Sequence, residues 1–241
     1  MEIMGRVALV TGAGVRLGRA MALGLAEQGA DVVVHYNRSS GPAEDVARQI
    51  RDLGRRAVAL QANLADLDEV MGLIPKAREA LGTIDVLINS ASIFERSTLA
   101  STSLDNWNRH LDINLRAPFF LCQSFAAQLP AGHRGHIINM ADWRVIRPGT
   151  QHMAYTLSKS ALVTLTQSLA LALGPDVQVN ALAPGAILPP PEDDGYFDRL
   201  AERLPLRRTG NPQEIVGAVL YLLRSDFVTG EILRITGGEH L

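Results

Sequence analysis

Arg6-Val7-Ala8-Leu9-Val10-Thr11-Gly12-Ala13-Gly14-Val15-Arg16-Leu17-Gly18 is the stretch that decides the fold. A short apolar run, Arg6–Val10, passes into a glycine-rich turn and then into a segment of helical period, about Leu17–Gln28. Glycines in such a turn let the backbone approach a pyrophosphate, and the helix start supplies unpaired N–H groups and the positive end of its dipole. Glycines also serve plain strand-to-helix packing, so the turn alone says little. Its place at the head of an alternating series is what makes it a dinucleotide site.

The alternation continues outward along the chain. Strand-like runs recur at Asp31–His35, Ala57–Gln61, Val86–Asn89, His136–Met140, Val177–Leu182 and Ile232–Ile235. Their nearly continuous apolar character is that of parallel strands buried on both faces. Amphipathic stretches fill the gaps at about Pro42–Leu53, Leu67–Leu81, Leu104–Leu129, Met153–Leu173 and Pro212–Leu223. The last opens Asn211-Pro212-Gln213-Glu214, with a capping residue, a proline at the first helical position and a glutamate three residues after the cap. One compositional break stands out, the proline-rich stretch Ala183–Tyr196 with its acidic run Glu192-Asp193-Asp194, which reads as a long loop and a lid.

Composition bounds the function. The 241 residues carry 23 Lys+Arg against 25 Asp+Glu, a net charge of −2, with no dense basic block, which argues against nucleic acid or an anionic membrane as the main partner. Hydrophobic residues are 47% and charged residues 20%, enough for one well-packed domain over residues 1–241. The single Cys122 excludes an intramolecular disulfide and any multi-cysteine metal site. A reducing cytoplasm is the expected compartment, since neither a signal-type apolar region nor a bilayer-spanning run is visible. His133 and His136 lack a third ligand and read as loop residues, so no metal is expected.

Two further clusters carry chemistry. After the second strand comes His35-Tyr36-Asn37-Arg38-Ser39-Ser40, with no acid to take ribose hydroxyls and with an arginine among polar residues. A 2′-phosphate wants that guanidinium, so the stretch favours NADP(H), a solvated loop arginine being the plain alternative. Tyr155 and Lys159 stand four apart on one face of the helix Met153–Leu173, where a cation lowers the tyrosine's pKa and makes a proton relay. By itself that spacing is common.

In this context the sequence resembles the short-chain dehydrogenase/reductase family over essentially its whole length. The marks are Thr11–Gly18, Asn89-Ser90-Ala91-Ser92, Asn114, Tyr155 with Lys159, and Pro184-Gly185. The resemblance implies a single Rossmann-type doubly wound α/β domain of seven parallel strands, in the order 3-2-1-4-5-6-7. It also implies a relay through Asn114, Tyr155 and Lys159. Two departures point to one branch: Arg16 replaces the expected glycine, and Asp142 stands thirteen residues before the tyrosine where the family has serine. Both are similar to the pteridine reductases, as are Phe94, matching the aromatic that stacks on the pterin, and His35–Ser39.

That branch implies cofactor contacts from Gly12, Arg16, Leu17, His35, Tyr36, Asn37, Arg38, Ser39, Asn63, Leu64, Asn89, Ala91, Tyr155, Lys159, Pro184 and Gly185. Substrate contacts would come from Arg16, Phe94, Asp142, Trp143 and Tyr155, and catalysis from Asp142, Tyr155, Lys159 and Asn114. Asn63 replaces an aspartate at the adenine, Ser90 replaces an asparagine, and Trp143 is as readily a core or interface residue. An ionised aspartate cannot donate to a carbonyl oxygen and repels a developing oxyanion, but it suits a substrate offering N–H groups, such as a pterin whose C=N bond is reduced.

The expected activity is NADPH-dependent reduction of a dihydropterin or dihydrofolate. The alternatives are a carbonyl reductase, on a 3-oxoacyl thioester or a sugar, and a non-catalytic dinucleotide sensor. A homodimer or homotetramer is also expected, because Leu104–Leu129 and Met153–Leu173 carry apolar residues, among them Phe119, Phe120, Leu162, Leu165 and Leu169, around more of their surface than one sheet contact buries.

Overall fold

The computed structural model describes residues 1–189 and 195–241, so the acidic run Glu192-Asp193-Asp194 and the middle of the proline-rich loop lie outside the described residues. Seven strands, β1 (Val7–Val10), β2 (Asp31–Tyr36), β3 (Ala57–Gln61), β4 (Val86–Asn89), β5 (Gly135–Met140), β6 (Val177–Pro184) and β7 (Ile232–Ile235), form one sheet. Its order is β3-β2-β1-β4-β5-β6-β7, with every pairing parallel.

Helices alternate with these strands: α1 (Arg16–Glu27), α2 (Ser40–Asp52), α3 (Leu67–Leu81), α4 (Leu104–Leu111), α5 (Ala117–Gln128), α6 (Met153–Leu173), α7 (Tyr196–Ala201) and α8 (Pro212–Arg224). Because successive strand residues face opposite ways, each strand feeds two cores. Ala8, Val10, Val32, Val34 and Ile88 pack with residues of α1, α2 and α8, while Val7, Leu9, Val33 and Leu87 pack with α3 and α5. The capping box at Asn211 and Glu214 is present as the sequence predicts.

Three elements differ from the sequence reading. Leu104–Leu129 is not one α-helix: α4 passes through a π-helical turn, Asp112–Arg116, into α5. Pro118 gives the reason, since it has no N–H to donate to the carbonyl of Asn114 four residues earlier and the α ladder breaks there. A 3₁₀ turn, Trp143–Val145, follows β5, and α7 begins at the end of the stretch read as loop. His136 is a buried residue of β5 rather than a loop residue, while His133 pairs with Asp85 at 2.7 Å. Among the described residues no group of three potential metal ligands occurs, and no helix is long and apolar enough to cross a membrane.

Candidate active site

The strand C-termini open into a cavity of about 720 Å³ that runs from the glycine turn past Tyr155 and Lys159 to the Pro184–Leu188 loop and α7. A second cavity of about 460 Å³ is lined by Gly14, Tyr36, Asn37, Arg38, Ser39 and Asn63. Together they trace an elongated groove across the edge where β1 meets β4, the switch point at which doubly wound sheets bind ligands.

The glycine turn is packed too tightly for side chains. A Cβ on Gly18 would lie 2.2 Å from the Gly12 carbonyl oxygen, and one on Gly12, whose φ is +65°, would lie 3.0 Å from Ala91 Cα. Thr11 Oγ1 accepts from the Ser90 and Ala91 amides at 2.9 and 3.0 Å, tying this turn to the one after β4. Val15, the residue before α1, gives no side-chain cap, and the first turn has no acid, so the N-terminal amides of α1 are left for an anion. Arg16, also at positive φ, reaches across to the Pro189 carbonyl at 3.2 Å. Arg38 is exposed at the second cavity and makes no ion pair or hydrogen bond with any described residue. An uncapped helix start at one end and an unpaired guanidinium beyond it fit a phosphorylated dinucleotide.

Several residues expected to touch the cofactor do something else with their side chains. His35 is buried; its Nδ1 accepts from the Gly12 amide at 3.1 Å and its Nε2 donates to Ala62 O at 3.0 Å, so it is a neutral brace under the turn. Burial lowers its pKa to about 4. Asn89 is buried and donates to Asn139 Oδ1 at 2.8 Å and to Cys122 Sγ at 3.4 Å, inside the sheet. The Asn63 side-chain carbonyl accepts from the Ala65 amide at 3.1 Å. Leu17, Leu64, Ala91, Pro184 and Gly185 line the main cavity as expected.

At the chemical end, Tyr155 Oη donates to Asp142 Oδ2 at 2.8 Å. Lys159 is buried on the same helix face, and its Nζ donates to Met140 O at 2.6 Å. The lysine is therefore not the tyrosine's hydrogen-bond partner: its Nζ stands 5.8 Å from the ring centroid. Burial, and then Asp142, hold the Tyr155 pKa well above its usual value, which reverses the lowering expected from the sequence. Burial brings Lys159 to about 8 against the opposing pull of Asp142. The tyrosine is a phenol poised to give its proton to whatever displaces the carboxylate.

Asn114 sits in the π turn and does not face the cavity. Its Oδ1 accepts from Ile93 N at 3.0 Å and Ser92 Oγ at 3.1 Å, and its Nδ2 donates to Ile93 O and Ser158 Oγ at 3.1 Å each. It braces the loop that presents Phe94, which is half exposed, stacks on His152 at 3.9 Å and 14°, and meets the Tyr155 ring edge at 4.7 Å. The sequence reading missed His152, which caps α6 in a left-handed conformation and donates from Nδ1 to Glu95 O. It also missed Glu239, whose Oε2 accepts from Ala186 N at 2.8 Å, and Arg144, which clamps Asp142. Arg144 is two residues beyond Asp142 on the same turn, whereas His152 and Glu239 come from other loops that only the fold brings to it.

A family model described as enoyl-(acyl carrier protein) reductase matches residues 12–240. A short-chain dehydrogenase/reductase from Serratia marcescens is 32% identical with a TM-score of 0.93, covering 100% of both chains. The chain belongs to the short-chain dehydrogenase/reductase family. As a member of that family it is an NAD(P)-dependent oxidoreductase. The FolM alternative dihydrofolate reductase 1 from Brucella suis, crystallised with NADP, is 36% identical with a TM-score of 0.92, covering 98% of this chain and 95% of that one. The L-rhamnose 1-dehydrogenase of a Sphingomonas strain is 33% identical over 98% of this chain and 97% of that protein.

Proposed function

We propose that this short-chain dehydrogenase/reductase uses NADPH to reduce a C=N bond of a pteridine, dihydropterin or dihydrofolate. The observation that carries the reading is the Asp142 carboxylate, which accepts the Tyr155 hydroxyl where a donor hydroxyl would serve a ketone. A carboxylate there favours a ring with N–H groups to give and a nitrogen to be protonated. The likeness to a protein named as an alternative dihydrofolate reductase supports it.

Bound NADPH supplies the hydride. Tyr155 gives its proton to the ring nitrogen, while Asp142 accepts from a ring N–H and so holds the substrate in register. Phe94, which stacks on His152 and carries the Arg144 guanidinium 5.2 Å from its ring centroid, borders the place where the substrate ring lies against the nicotinamide; Arg16 and Trp143 close the pocket. Lys159, mostly protonated at neutral pH, anchors the nicotinamide ribose, and Asn114 acts through the loop it braces. Arg38 takes the 2′-phosphate. Assembly as a homodimer or homotetramer and residence in a reducing cytoplasm, where the buried, unpaired Cys122 is at home, complete the proposal.

NADPH-oxidation kinetics against dihydrobiopterin, dihydrofolate and an acetoacetyl thioester test it. Turnover of a dihydropterin is expected, with Tyr155→Phe losing orders of magnitude while NADPH still binds. Asp142→Ser, which restores a donor, is expected to lose pterin reduction and gain on ketones. Wild-type turnover of ketones alone hands the site to carbonyl reduction, and unchanged pterin turnover in Asp142→Ser removes the role of Asp142 on which the reading rests.

A further inference from the structure

Asp142 leaves a chemical gap, because a carboxylate cannot steady an oxygen that gains negative charge, and the structure places a donor beside it. Arg144 lies on the 3₁₀ turn after β5, and its Nη1 donates to both Asp142 oxygens at 3.2 Å while its backbone amide donates to Oδ1 at 2.8 Å. Its guanidinium carbon is 5.2 Å from the ring centroids of Phe94 and Trp143, so two aromatic walls hold it at the cavity. Nη2 and Nε make no hydrogen bond with any described residue, which leaves one donor edge of the fork unused. Tyr155 Oη and Arg144 Nη1 meet on the same oxygen, Asp142 Oδ2, and can therefore address neighbouring atoms of one substrate.

We propose that Arg144 is a specificity-determining residue whose free edge holds an acceptor oxygen adjacent to the bond being reduced, and that vicinal dicarbonyl compounds are consequently a further substrate class. One carbonyl carbon receives the hydride of NADPH and its oxygen the Tyr155 proton. The C=O π bond breaks, C–H and O–H bonds form, an α-hydroxy carbonyl compound leaves with NADP⁺, and the Tyr155 phenolate regains its proton from solvent. The second carbonyl is untouched and sits on Arg144, where a charge-assisted hydrogen bond offsets the repulsion from Asp142. A lone ketone has no second oxygen to give Arg144 and meets that repulsion unrelieved. The inference rests on Tyr155 as proton donor in the proposed reduction, and it does not require that the substrate be a pteridine.

The test compares isatin, a planar ring dione, with 1-indanone, its mono-ketone counterpart, and with a dihydropterin, in wild type, Arg144→Gln and Arg144→Lys. The dione is intrinsically more reactive, so the informative quantity is the change in the ratio of kcat/KM values on mutation. Arg144→Gln is expected to lower kcat/KM for isatin at least tenfold relative to that for 1-indanone, and Arg144→Lys, which keeps the charge, to recover part of the loss. NADPH affinity and the urea midpoint, measured on the same preparations, separate this effect from misfolding. An unchanged ratio in both variants overturns the proposal and leaves Arg144 as a support for Asp142. Wild type that reduces the dihydropterin but not isatin overturns it while the pteridine reading stands; reduction of isatin without the dihydropterin overturns that reading alone.

Discussion

Arg38 and His35 stand three residues apart, one an exposed arginine at the second cavity and the other a buried brace under the glycine turn. Since Arg38 has no partner among the described residues, Arg38→Ala removes no contact within them and only the proposed bond to a 2′-phosphate. It should weaken NADPH about tenfold to a hundredfold and leave NADH nearly unchanged in fluorescence titrations, as loss of a hydrogen bond to a charged group implies. Wild type that prefers NADH would sink the assignment. His35 behaves differently because its Nδ1 must stay unprotonated to accept from Gly12. Its folded pKa, about 4, lies below the unfolded value, so the unfolded chain takes up the proton first as acid is added. The stability it contributes is present above about pH 6.5 and lost as pH falls toward 4, roughly 2–3 kcal/mol by pH 4.5. Buried His136, also near 4, adds to the same acid loss. Urea unfolding at pH 7 and 4.5 checks this: His35→Asn keeps the acceptor, removes the titration and should shrink the drop.

The π turn between α4 and α5 shows how an element can be built around one missing N–H. Pro118 cannot satisfy the Asn114 carbonyl in α fashion, the helix widens by a residue, and the Asn114 side chain bonds the Ser92 hydroxyl and the Ile93 backbone. Pro118→Ala restores the donor and invites an ordinary α register. The expected result is an unfolding free energy that is unchanged or raised and a kcat that falls, roughly tenfold, because the Phe94 loop loses its brace. Equal stability with equal kcat would show the turn to be incidental. The strands and the other long helices were legible from periodicity within a few residues, since each is a local pattern of burial, whereas the short α7 was not. The π turn was not, although Pro118 was in plain view, because an apolar run fits either helix and only the packing of Asn114 selects one.

At the scale of the molecule, the sheet buries Leu162 completely and Leu165 and Leu169 in part, so these residues, which the sequence offered for association, are largely spent within the chain. What remains exposed on α5 and α6 is Phe119 at 41%, Leu157 at 46% and Leu171 at 88%. Static light scattering should give a dimer or tetramer, and substituting Phe119 and Leu171 with polar residues should shift it toward monomer; a wild-type monomer at micromolar concentration contradicts the proposal. The sequence by itself determined the doubly wound order of elements and marked the glycine turn, Arg38 and the trio Asp142, Tyr155 and Lys159 for their proposed roles, because hydrophobic period and motif spacing are properties of the chain. Only the tertiary structure decided that Tyr155 rests on Asp142 rather than on Lys159, that His35 and Asn89 are braces, and that Arg144, His152 and Glu239 join the site. Those outcomes depend on where separate loops converge and on how burial shifts a proton's preference, and no single segment of the chain carries either quantity.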